Sequence, residues 1–147
     1  MFNPQLKPQP KEKPPRQYLQ TKKKIKNKHK PAEERYFTHI VKQRDEHCQH
    51  PGCKETNLSA HHIIFKSQAS KKWKNDSRNG ISLCLEHHRL PHKEIHWRLY
   101  WEVWQVLEFG WWAGEELSLG EWVSRNELRL VRAHMDVEQL IKEVKAV

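Results

Sequence analysis

Residues 48–92 read CQHPGCKETNLSAHHIIFKSQASKKWKNDSRNGISLCLEHHRLPH, and this stretch decides the fold. It holds all three cysteines and six of the eleven histidines of the 147-residue chain. CQHPGC, residues 48–53, is a turn sequence, because Pro and Gly interrupt both regular patterns there. LSAHHIIF, residues 58–65, is rich in β-branched and aromatic side chains and reads as a strand. A polar loop at residues 66–78 leads to a second short strand at 81–84, so the pair forms a hairpin with a long connection. LEHHRL, residues 85–90, can make a short helix, which Pro91 ends or kinks. Two ligand pairs stand out, Cys48-x4-Cys53 and Cys84-x2-His87. Thiolate and imidazole suit a tetrahedral structural zinc, and two short pairs brought together by the fold make a knuckle. Three cysteines cannot all pair with one another, so His87 completes the set, with His50 as an alternative to one cysteine of the first pair.

Upstream, residues 32–47 look helical, with an acidic first turn and Tyr36, Ile40 and Val41 as inward positions. Downstream, Pro91 suits the first turn of a helix running to about residue 107. Its apolar residues form two stripes, Ile95, Leu99, Val103 and Val106, and beside them Trp97, Trp101 and Trp104. Such a helix is buried on more than one side, and the tryptophans read as core rather than as a platform for bases. His92 and His96 read as ordinary residues of that helix. Residues 110–120 form a connection, and residues 125–147 a closing amphipathic helix with Leu128, Val131, Met135, Leu140 and Val144 inward. The expected class is α+β, mainly helical.

The net charge of +9 is unevenly placed. Residues 1–31 carry ten Lys/Arg against one acidic residue, Glu12, and are rich in Pro and Gln without apolar periodicity. They read as a disordered basic arm that attracts phosphates. Residues 32–98 are mildly basic and residues 99–147 acidic. Lys66, Lys71, Lys72, Lys74 and Arg78 in the hairpin loop are candidates for nucleic-acid backbone contacts. No stretch approaches the length of an apolar membrane span, and lysines and prolines stand where a signal peptide needs an apolar run, so the chain reads as cytoplasmic with no membrane partner. The organisation is an arm (1–31), a domain (32–107) with its core at about 48–92, and a C-terminal helical extension (108–147).

The order of a His61-His62-Ile63 strand, Asn79 just before a strand ending in Leu83-Cys84, and then Cys84-x2-His87-His88 resembles the HNH endonucleases. The closest variant is the zinc-stapled ββα-metal (His-Me finger) module, here flanked by helices, and the resemblance covers residues 48–92, under a third of the chain. The ending LCLEHHR resembles, more distantly, phage recombination-associated members, which implies a phage-encoded protein acting in a bacterial host. The resemblance implies a metal-dependent endonuclease that hydrolyses DNA phosphodiester bonds, by nicking or by cutting both strands. It makes His61 a ligand of a catalytic divalent metal, where many members have Asp, His88 the second ligand and His62 the general base. Asn79 then holds the hairpin loop so that His62 points at its water. An ion with two protein ligands keeps open positions, which Mg²⁺ or Mn²⁺ accepts. DNA is the implied partner and RNA the alternative.

Helical geometry supports the division of labour, because His87 and His88 project about 100° apart and face different sites. Strand geometry complicates it: consecutive strand residues point to opposite faces, so His61 and His62 serve one site only near a strand end. The rival reading is a non-catalytic zinc-knuckle module that binds DNA or RNA and has no need of His62.

Overall fold

A helix, a two-stranded hairpin and a loop meet at Gly80, and the computed structural model, which describes residues 31–147, is organised around that point. The expected basic arm lies outside the described residues except for Pro31. Helix α1 (Ala32–Asp45) opens with Glu33 and Glu34 and closes with Lys42 and Arg44, complementing its dipole at both ends. Its buried residues are Phe37 and Val41, whereas Tyr36 is 69% exposed. The inward face is therefore turned one residue on from the Tyr36–Ile40 pair expected from the sequence. The cause is Gly80: a Cβ there would lie 2.5 Å from Val41 Cγ2 and 2.6 Å from Phe37 Cζ, so only a bare backbone lets these side chains settle. Gly80→Ala is accordingly expected to cost about 1–3 kcal/mol by overpacking, read as a lower urea midpoint at unchanged slope.

Strands β1 (Leu58–His62) and β2 (Gly80–Cys84) pair antiparallel, with Leu58 opposite Cys84 and His62 opposite Gly80. All of β2 is buried. Ser82 faces α1, donating its hydroxyl to Val41 O and its backbone N–H to Asp45 Oδ2, while Ile81 and Leu83 join the main core. β1 is shorter than the eight residues expected: Ile63 N–H still donates to Asn79 O, but at Ile64 the Asn79 side chain takes over the backbone in place of a strand partner.

Past β2 come α2 (Leu85–His88), α3 (Leu90–Lys93) and α4 (Ile95–Phe109). The single helix expected from Pro91 to about 107 is broken at Glu94, whose backbone is extended. The break leaves α2 and α3 against the hairpin while α4 runs through the core. As expected, α4 is buried on several sides: Leu99, Trp101, Val103 and Val106 are enclosed, while Trp97 and Trp104 are half-buried. Ile95 is more exposed than its stripe suggested. Gly110 ends α4 in the left-handed region (φ 57°), its N–H donating to Val106 O.

Within the expected connection, β3 (Trp111–Trp112) and β4 (Glu115–Glu116) form a second small hairpin through Ala113 and Gly114, both at positive φ as a tight primed turn requires. Helix α5 (Leu119–Arg132) starts with a Ser118/Glu121 capping box, and α6 (Val137–Lys145) is capped by Asp136. The closing segment is thus two helices rather than one, because Asp136 caps a new helix right after His134 turns to positive φ. α5 buries Trp122, Asn126 and Leu130 at i, i+4, i+8, leaving Leu128 and Val131 exposed against expectation, whereas Leu140 and Val144 of α6 are buried as expected. The result is an α+β fold of helices around two small antiparallel sheets. Among the described residues, no helix is long and apolar enough to cross a membrane.

Candidate metal centre

The CQHPGC turn closes with the Cys53 N–H donating to His50 O and Gly52 at positive φ, and the Gln49 N–H donates to Ser82 O. These bonds seat the turn beside the end of β2. The ligand atoms of Cys48, Cys53, Cys84 and His87 then all lie within 4.8 Å of one another. His87 Nδ1 is 3.5 Å from Cys48 Sγ and 3.2 Å from Cys84 Sγ. A tetrahedral zinc with ordinary bond lengths holds sulfur and nitrogen roughly 3.5 Å apart, so the spacing is that of ligands around one ion. Burial pushes the Cys48 thiol above its ordinary value, a cost that a bound cation removes by taking the place of the proton. The cluster is compatible with a structural zinc. His50 stands beside it, stacked on the His87 ring at 3.8 Å and pushed down to about 4 by burial.

A second cluster forms where the end of β1 meets α2 and α3. Side-chain nitrogens of His61, His88 and His92 lie within 4.8 Å of one another. His61 Nε2 is buried and has no hydrogen-bond partner, and burial together with the neighbouring imidazoles lowers its pKa, so the ring is neutral and one of its two nitrogens offers a lone pair. Ser59 Oγ donates to Leu83 O and lies 2.5 Å from His88 Nδ1. With its own proton engaged, the hydroxyl accepts from Nδ1–H and leaves His88 Nε2 as the free electron pair. Three convergent imidazoles, one of them orphaned, fit a divalent cation. His92, read from the sequence as an ordinary helix residue, belongs to this set, and the signal that points to it is its four-residue spacing from His88. Ser59→Ala is expected to weaken Mn²⁺ binding at this cluster by about 10–100-fold, measurable by calorimetry on zinc-loaded protein, because the serine fixes the His88 tautomer.

His62 points the other way, as the alternation of a strand demands. Its ring stacks on Phe37 at 4.3 Å, and Nε2 lies 3.1 Å from Asn75 Oδ1. An amide oxygen only accepts, so Nε2 carries the proton and Nδ1 is the unprotonated nitrogen. Burial lowers the His62 pKa, with the Asn75 bond opposing it, which keeps the ring neutral near pH 7. Asn75 was not singled out in the sequence, where one Asn in a polar loop carries no signal. Asn79 is fully buried: it accepts from Ile64 N–H and donates to Ile64 O and Lys74 O, so it clamps both ends of the loop together.

Of the loop cations, Lys66 pairs with Glu34, and Arg78 pairs with Asp76 while lying over the Trp111 ring. Lys71 and Lys72 are exposed and, with Glu33, Tyr36, Asn75 and Asp76, line a cavity of about 340 Å³; Lys74 is half-buried. His96 is tied to Glu143 at 2.7 Å, joining α4 to α6. No family model, curated protein or solved structure matches this chain.

Proposed function

We propose that the chain is a metal-dependent endonuclease of the HNH type, built on a ββα-metal module, that hydrolyses phosphodiester bonds in DNA. Cys48, Cys53, Cys84 and His87 hold a structural zinc, and His61, His88 and His92 hold a catalytic divalent ion. The observation that carries the reading is the buried His61 Nε2, without a hydrogen-bond partner, on a ring clustered with two further imidazoles on one side of the β1 terminus, while neutral His62 leaves that terminus on the other. Three imidazoles favour Mn²⁺ over the oxygen-loving Mg²⁺. When bound, the ion supplies Lewis acidity to the phosphate and charge stabilisation at the leaving 3′ oxygen. His62 takes a proton from the attacking water through Nδ1, and Asn75 fixes the tautomer that makes Nδ1 the base. Asn79 holds the loop that carries Asn75. Lys71, Lys72 and the basic residues 1–31 attract the phosphate backbone.

Zinc-loaded protein incubated with supercoiled plasmid and with single-stranded circular DNA tests this reading. Nicked, linear or shortened product that depends on added Mn²⁺ or Mg²⁺ is the expected result. Binding without cleavage in any metal would replace the nuclease with the knuckle-only binding module.

A further inference from the structure

Ile63 and Ile64 follow the paired histidines directly and leave the β1 ladder to line a cavity of about 320 Å³, whose wall also includes Trp73, Trp112 and Arg98, with Gln68 exposed at its rim. This volume is at the small-ligand end of binding pockets, the size range of a nucleoside. Glu102, 3% exposed, borders it, but its carboxylate is neutralised by Arg129 in a two-pronged pair at 2.8 and 2.7 Å and accepts from Trp112 Nε1–H at 2.8 Å. The Trp73 ring is held edge-on by Trp111, and Gly114 is bare where a Cβ would lie 2.5 Å from it. The wall is therefore a rigid aromatic one.

Phe65 links this cavity to the histidine cluster. Its ring stacks on His92 at 4.7 Å, meets His61 edge-on, and carries the Arg98 guanidinium 4.4 Å from its centroid. Arg98 donates to Pro91 O, and no carboxylate among the described residues pairs with it. A cation without a counter-charge thus stands between three metal-ligating imidazoles and an aromatic pocket. That is the arrangement a phosphate followed by a base would fill.

We propose that this cavity receives the unstacked base of a nucleotide next to the scissile phosphate, with Arg98 on the phosphate, so that the substrate is single-stranded or locally unpaired DNA. The inference rests on the nuclease reading and names its substrate class. A base paired in a duplex is stacked on both faces and reaches such a pocket only after being extruded, which a single strand does not require.

The test is fluorescence anisotropy with a labelled single-stranded oligodeoxynucleotide and with the blunt duplex of the same sequence, using zinc-loaded full-length protein without Mg²⁺ or Mn²⁺, so that nothing is cut. The wild type is expected to prefer the single strand by about tenfold, the scale of one base stacked on an aromatic ring. Trp73→Ala is expected to lose about that factor on the single strand and less than about twofold on the duplex. Should Trp73→Ala lack the wild-type circular dichroism spectrum, Gln68→Glu, at the exposed rim, carries the same comparison by setting a negative charge at the mouth. Equal affinity of the wild type for both DNAs, or a preference unchanged in the folded variants, overturns the proposal. Failure of the nuclease reading itself is seen separately, as absence of cleavage by wild type in every metal.

Discussion

Cys84→Ser protein is expected to lose its zinc on dialysis and to melt without a cooperative transition, where the wild type keeps one zinc at the knuckle and unfolds sharply. Cys84 sits at a junction: it is the last residue of β2, paired with Leu58, and the residue that caps α2. Cys48, its neighbour in the cluster, is completely buried. Apart from the backbone bond of Gln49 to Ser82, the turn at residues 48–53 is held to the hairpin chiefly through this cluster. A structural zinc in a small knuckle contributes about 10–16 kcal/mol of apparent folding free energy near neutral pH, which matches or exceeds the roughly 5–15 kcal/mol that a whole domain retains. Serine cannot supply a thiolate, so most of that contribution goes. The loss should spread, because His88 stands next to His87 on α2, and a disordered α2 no longer presents it to His61 and His92. Metal analysis, thermal circular dichroism and Mn²⁺ calorimetry would together read the effect. A variant with wild-type melting would show that packing alone holds the knuckle.

His62→Ala is expected to lower the metal-dependent cleavage rate by about 10²–10⁴-fold while leaving zinc content, Mn²⁺ affinity and DNA binding close to wild type. The separation follows from geometry. His62 faces Phe37 and Asn75, and the two ligand clusters are assembled from other residues. Removing its ring opens space against Phe37 and costs some stability, so rates are to be compared well below the variant's melting temperature. If His62→Ala cuts at the wild-type rate, the base lies elsewhere and the tautomer argument through Asn75 falls with it. The contrast with His88→Ala is informative, since that variant should lose Mn²⁺ binding and cleavage together.

Much of the site is legible in the sequence, for a physical reason. Ligand chemistry is carried by residue type, and each half of the knuckle is a local feature: Cys48 and Cys53 span one turn, Cys84 and His87 one helical step. Asn79 and the strand-ending histidines are likewise set by short-range pattern. The helix faces were less legible. Tyr36 and Ile40 looked as apolar as Phe37 and Val41, and only the bare backbone of Gly80, forty residues on, selects the second pair. Leu128 and Val131 looked inward for the same reason, until Trp122 set the buried face of α5.

What the sequence by itself determined is therefore the inventory: which side chains can hold a metal, where the hairpin lies, and which half of each ligand set is contiguous. Only the tertiary structure decided the assembly: that both cysteines of the first pair meet Cys84 and His87 while His50 stacks alongside, that His92 joins His61 and His88, that Asn75 fixes His62, and that Trp73 and Trp112 wall one cavity. Those relations join residues from four to thirty-nine positions apart, some across a break in helix direction at Glu94. Hydrophobic period and ligand spacing describe one element at a time, whereas the meeting of elements depends on side-chain volumes that close-pack in three dimensions.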